Sequence, residues 1–166
     1  VITASDDCGN AEVTMTETVV DGPCEGTYTI IRKYKASTGD CANSNYFTQT
    51  INVVDDTPPV ITFNGFNQSI YNNGDSIDID CAYMSSLALG ISDVTISNEC
   101  GTADLGFDLQ YNHVNNCAQT GYIFVAVATW TAVDDCGNIS TLVLNFRVKD
   151  ITPPVIKGVP ADVCVT

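Results

Sequence analysis

Eight cysteines, at positions 8, 24, 41, 81, 100, 117, 136 and 164, and a single histidine, His113, are the residues of this 166-residue chain most capable of chemistry. Thiols can hold a metal, act as nucleophiles or pair as disulfides. A local zinc chelate needs closely spaced cysteines, but no Cys-x-x-Cys pair occurs and one histidine cannot complete a Cys/His set. Nucleophilic work needs a base beside the nucleophile, and His113 sits in the polar stretch Tyr111-Asn112-His113-Val114-Asn115-Asn116 with no nucleophile patterned near it. Adjacent acids such as Asp134 and Asp135 diverge in a strand or turn, so they do not make a carboxylate pair across a cleft. There is no Gly-rich phosphate loop. The chain reads as a non-enzyme. What remains is disulfide pairing, and an even, dense set of widely spaced cysteines points to an oxidising compartment, extracellular or on a cell surface.

The second chemical resource is acid. Twenty Asp and Glu against six Lys and Arg give a formal charge of −14 and a pI near 4.1. Nucleic acid and anionic membrane surfaces are not expected partners, because both select a basic face. No apolar run nears the ~18 residues of a membrane helix, so no membrane insertion is expected. The chain opens on Val1-Ile2-Thr3 without a signal-peptide pattern, which reads either as a removed targeting segment or as an interior stretch of a longer chain. Asp55 and Asp56 precede one Pro-Pro pair, Asp150 precedes another, and Asp134 lies in a turn able to approach them. Calcium takes about six to eight oxygen ligands, so Asp55, Asp56, Asp134 and Asp150 are the candidate ligands of a Ca²⁺ that rigidifies a joint. The competing reading is solvated turn acids that keep a surface protein soluble. Neither reading requires a cofactor.

These residues are carried by a repeat. Thr57-Pro58-Pro59-Val60-Ile61 returns as Thr152-Pro153-Pro154-Val155-Ile156, 95 residues on. Cys41 maps to Cys136, Cys24 to Cys117 and Cys8 to Cys100 at nearly the same step, with the drift that loop insertions give. Pro-Pro cannot sit inside a central strand, so it marks boundaries. Residues 57–152 then form one complete module, 1–56 the C-terminal part of another whose first strands are missing, and 153–166 the opening strands of a third. Ser76 to Cys81 alternates strictly, Gly121 to Ala132 is a long apolar and β-branched run, and Leu142 to Val148 closes the module. Turn clusters such as Asn72-Asn73-Gly74-Asp75 and Asp134-Asp135-Cys136-Gly137-Asn138 separate them. The expected fold is all-β, as tandem immunoglobulin-like antiparallel β-sandwich modules stapled by disulfides. Ala82 to Gly90 reads as a short helical turn between sheets.

Asp6-Asp7-Cys8-Gly9-Asn10, Gly22-Pro23-Cys24, Gly26 to Tyr34 and Gln49 to Ile61, repeated in part as Trp130 to Asn138 and Asp150 to Pro154, resemble the hyalin-repeat-like modules of immunoglobulin fold. Such modules are arrayed in very long secreted and cell-surface proteins, especially of Bacteroidota-type bacteria. The resemblance covers nearly the whole chain. It implies a structural module of an extracellular fibre, stalk or adhesin shaft. It also implies that the strand aromatics Tyr34 and Trp130 are core. The alternative is a carbohydrate- or protein-binding adhesion module, for which Tyr46, Phe47, Phe63, Phe66, Tyr71 and Tyr83 would supply the stacking face.

Four cysteines per module allow three connectivities. The expected one joins sequence neighbours, Cys24–Cys41, Cys81–Cys100 and Cys117–Cys136, each loop contributing about 3 kcal/mol. Cys8 and Cys164 are left over, Cys8 lacking the partner type that Cys164 represents. Either the chain is a window of a tandem array whose covalent neighbours complete both ends, or separate chains join head to tail by strand addition and a Cys8–Cys164 bond. The expected partners in both cases are neighbouring copies of the same module.

Overall fold

The computed structural model describes residues 2–7, 11–38, 43–65, 71–86, 88–114 and 117–158. Nine strands account for most of them, and the described helix is confined to one turn at Cys117–Thr120 (α1) and two 3-10 turns at Cys81–Ser86 and Ile91–Asp93. The chain is all-β, and the helical turn read between Ala82 and Gly90 is present as the first of the 3-10 turns.

Strands β1 (Glu12–Asp21), β2 (Tyr28–Ser37) and β3 (Phe47–Val53) form an antiparallel sheet in the order β1-β2-β3. Side chains alternate across a strand, and the sequence alternates with them. One face carries Thr14, Thr16 and Thr18 opposite Lys35, Lys33 and Ile31, with Thr48 and Thr50 beyond. The other carries Met15 opposite Tyr34 opposite Phe47, and Val19 opposite Ile30 opposite Ile51. Between those two apolar rows runs a polar one, Glu17–Arg32–Gln49, in which Arg32 Nε donates to Glu17 at 2.7 Å. Much of this apolar face is open, with Met15 51% and Phe47 68% exposed. Tyr34, expected as core, is half-buried and donates through its hydroxyl to Gln49 at 3.3 Å. Its sheet has no described layer of large buried side chains to enclose it.

The remaining strands are β4 (Val60–Phe63), β5 (Ser76–Asp80), β6 (Val94–Ser97), β7 (Ala103–His113), β8 (Phe124–Asp134) and β9 (Ile139–Lys149). β4 pairs with β6, and the other four form a sheet in the order β5-β9-β8-β7. The order β7-β8-β9 repeats that of β1-β2-β3. Here the alternation is buried: Ala126, Ala128, Trp130 and Ala132 on β8, and Leu142, Leu144, Phe146 and Val148 on β9, are all within 5% of fully covered. Small alanines flank the single tryptophan, leaving room for its indole at interior packing density. Phe63 of β4 lies 5.4 Å from Trp130 and 6.0 Å from Phe146, Phe107 of β7 lies 5.3 Å from Trp130, and Trp130 Nε1 donates to Gly90 O at 2.9 Å.

The antiparallel expectation is not met by β5, which runs parallel to β9, from Ser76 opposite Asn145 to Asp80 opposite Lys149. Gly74 N donates to Val143 O at 2.7 Å, and Asn145 N to Asp75 O at 2.9 Å. Side chains on one face then pin the pair, Lys149 Nζ and Arg147 Nε reaching Asp78 at 2.6 and 2.7 Å. Lys149 first, and then Arg147, hold the Asp78 carboxyl below its ordinary range against a smaller opposing effect of burial.

By compactness the chain divides into two units: 1–61 with 96–105 and 131–140, and 62–95 with 106–130 and the residues from 141 on. These limits differ from the Pro-Pro boundaries of the repeat, because the turn between β8 and β9 and the approach to β7 cluster with the first sheet. Replacing Trp130, fully buried, by Ala removes the centre of the second unit's core. The expected cost is about 3–5 kcal/mol, read as a lowered denaturation midpoint by circular dichroism, whereas Tyr34→Ala should cost clearly less.

Candidate functional site

Two hairpin turns meet in the first unit. One joins β1 to β2 over residues 22–27, the other joins β8 to β9 over 135–138. Cys24 of the first is bonded to Cys136 of the second, with Cα atoms 5.2 Å apart and 112 residues between them in sequence.

Each turn is built by its own residues. In the first, Gly22 N donates to Thr27 O at 2.8 Å, Thr27 N to Cys24 O at 3.2 Å and the Thr27 hydroxyl to Cys24 O at 2.7 Å. Gly26 takes φ +79°, a left-handed conformation open chiefly to glycine. A side chain there would also meet Cys100 Sγ at 2.7 Å. In the second turn the five residues Asp134-Asp135-Cys136-Gly137-Asn138 divide the work. The buried Asp134 accepts from Cys136 N at 3.0 Å, Asn138 N at 2.8 Å and Asn138 Nδ2 at 2.9 Å. Gly137 reverses the chain at φ +88°. Asn138 Nδ2 also reaches Asp55 O at 3.2 Å, and Asp135 accepts from Glu25 N at 2.8 Å. The disulfide therefore sits between two polar clasps.

Burial pushes the Asp134 carboxyl up, but the Asn138 side chain and the backbone N–H groups of Asn138 and Cys136 outweigh it, and the net shift is downward. Cys100 is shifted the other way: burial first, then the charges of Asp55, Glu99, Glu25 and Asp135, raise its thiol. A thiol held protonated is a poor nucleophile.

The expected pairings Cys24–Cys41 and Cys117–Cys136 are corrected by this bond. Cys24 and Cys41 flank β2, and Cys117 and Cys136 flank β8, strands of 10 and 11 residues. Such a strand holds its ends roughly 33–36 Å apart, whereas a disulfide needs Cα atoms within about 7 Å. Bonded to each other, Cys24 and Cys136 are not paired with Cys41 and Cys117. The expected Cys81–Cys100 bond is also not formed: both are free thiols, Cys81 following the end of β5 and Cys100 preceding the start of β7. Cys8, Cys41 and Cys164, and with them the Cys8–Cys164 bond, lie outside the described residues.

Of the candidate calcium ligands Asp55, Asp56, Asp134 and Asp150, three accept from backbone N–H groups of their own turns. Asp55 Oδ1 accepts from Thr57 N at 3.0 Å, Asp150 Oδ1 accepts from Thr152 N at 3.1 Å, Asp134 is committed to its own turn, and Asp56 is exposed. Asp55 and Asp134 are joined through Asn138, while Asp150 belongs to the other unit. Among the described residues no group of three or more His, Cys, Asp or Glu side chains is placed to hold a metal ion. The candidate stacking aromatics differ in exposure. Phe63 is core and touches Tyr71 at 5.7 Å, Tyr46, Phe47 and Tyr83 are 63%, 68% and 66% exposed, and Phe66 lies outside the described residues. His113 packs against Phe124 at 5.7 Å.

Neither family models nor curated proteins give a match to this chain.

Two outcomes follow. Cys24→Ser or Cys136→Ser releases a loop of 112 residues, and should lower stability by roughly 5 kcal/mol by the loop-entropy relation, measured by denaturant unfolding under non-reducing conditions. Asp134 has a folded pKa below its ordinary 3.8, so its contribution is complete above that value and is lost as pH falls through the lower folded one. The melting temperatures of the native chain and Asp134→Asn should differ at neutral pH and converge in acid.

Proposed function

We propose that this chain is a structural segment of an extracellular fibre, stalk or adhesin shaft, made of hyalin-repeat-like modules in series and riveted one to the next by disulfides. The observation that carries this reading is the Cys24–Cys136 bond, which joins the first repeat to the second. A disulfide closed inside a module strengthens that module alone. One that spans two repeats makes their separation require a covalent break, so tension along the array is carried by sulfur as well as by β-ladders. The polar clasps of Asp135 on Glu25 and Asn138 on Asp55 fix the angle at which the turns meet. The charge of −14 gives neighbouring shafts a reason not to clump.

The alternative, a module that binds carbohydrate or protein, is favoured by the adjacent exposed rings of Tyr46 and Phe47, with Lys35 Nζ 5.9 Å from the Tyr46 centroid. A glycan array decides for it if the isolated chain binds and Tyr46→Ala removes the signal.

The mechanical reading is tested by stretching single molecules from their two ends. The staple withholds the chain between Cys24 and Cys136, 112 residues. Reduction should therefore add about 370–400 Å of contour length. Equal lengths with and without reductant would remove the rivet from the account.

A further inference from the structure

In the second repeat the chain leaves Thr57-Pro58-Pro59 as the strand that covers a sheet. Alternation in β4 leaves Val60 and Thr62 exposed while Ile61 is half-buried and Phe63 buried, and Pro59 just before them is fully buried. Phe63 lies against Trp130 of β8 and Phe146 of β9. The sheet β7-β8-β9 is thus covered by the segment that follows a Pro-Pro pair.

The two halves of the same arrangement stand open elsewhere. The sheet β1-β2-β3 has the strand order of β7-β8-β9, and its apolar rows, Met15–Tyr34–Phe47 and Val19–Ile30–Ile51, have no such cover: Met15, Val19 and Phe47 are exposed. The segment after the second Pro-Pro pair has the sequence start of β4 but covers nothing. Pro153, Pro154, Val155, Ile156, Lys157 and Gly158 are all exposed, Val155 by 77% and Ile156 by 84%. Pro154 is the counterpart of the buried Pro59, and Ile156 of the half-buried Ile61.

Charge matches as shape does. The open face carries Glu17 in the row of Arg32 and, two residues beyond Val19, Asp21, and its unit holds most of the chain's twenty acids but only half of its six bases. Residues 151–158 contain no acid and one base, Lys157. A cationic segment with an apolar side chain suits an apolar face on an acidic body.

We propose that residues 153–158 of one copy of this chain dock on the open β1-β2-β3 face of a second copy, Ile156 covering the apolar rows and Lys157 facing Glu17 and Asp21. This rests on the shaft reading above and names what one chain offers the next. The contact joins two different surfaces, so each added copy leaves one face and one tail open, and the assembly grows head to tail. A two-fold pairing of open faces would leave residues 153–158 uncovered.

The test is sedimentation velocity of the chain with its free thiols alkylated, over a concentration series at low and high salt. The mean mass should climb past two chains with concentration and fall in high salt. Ile156→Glu, in the exposed tail, and Met15→Glu, on the exposed face, should each melt as the native chain does and sediment as monomers. Mixed in equal amounts they should give a dimer and nothing larger, since one supplies the only working face and the other the only working tail. Val19→Glu takes the place of Met15→Glu if that variant melts lower. A native chain that stays monomeric at every concentration overturns the proposal, and so does association that Ile156→Glu leaves intact, which is the mark of two faces pairing. A non-reducing digest of the same sample separates this proposal from the reading it rests on. Monomers that contain the Cys24–Cys136 peptide end the joint and leave the riveted shaft standing; monomers that lack it end both.

Discussion

A β-strand is a stiff spacer, and in this chain that stiffness decides which sulfurs can meet. Ten residues in β2 and eleven in β8 hold the turns at their two ends some 33–36 Å apart. A cysteine in a hairpin turn therefore has access only to what gathers at its own end of the strand. Cys24 and Cys136 are such a pair, brought together although 112 residues separate them. The compact unit containing the bond takes the whole first sheet together with residues 96–105 and 131–140.

Around the bond, acids act as hydrogen-bond acceptors. Asp55, Asp134 and Asp150 each satisfy backbone N–H groups within two to four residues, which is how short turns are made without secondary structure to absorb their polar atoms. The depressed pKa of Asp134 and the raised one of Cys100 have different causes. Donors converge on Asp134 and favour its charge. Burial first, and then the charges of Asp55, Glu99, Glu25 and Asp135, disfavour a Cys100 thiolate. The result is an anionic turn that holds a disulfide, with a thiol beside it whose pKa is raised.

Much of the fold was legible because period-two alternation and turn chemistry are local signals. Ser76 to Asp80, Phe124 to Asp134 and Ile139 to Lys149 are strands where alternation or apolar runs place them. Asp134 to Asn138 is a turn for the reasons its residue types suggest. The parallel entry of β5 was not legible, since parallel and antiparallel neighbours of β9 require the same side chains. The pairing of cysteines was misread for a different reason. Loop entropy favours short closures, but the chain between Cys117 and Cys136 is mostly one strand, and an extended strand cannot close on itself. The run from Gly121 to Ala132 held that information. Tyr34 is expected in the core alongside Trp130, yet burial depends on a facing layer, which Phe63 and Phe107 supply for Trp130.

The central claim is that a disulfide crosses from one repeat to the next. Mass spectrometry of peptides from the unreduced chain tests it most directly. A linked peptide containing Cys24 and Cys136 is the predicted result; linked peptides containing Cys24 with Cys41 and Cys117 with Cys136 would contradict it.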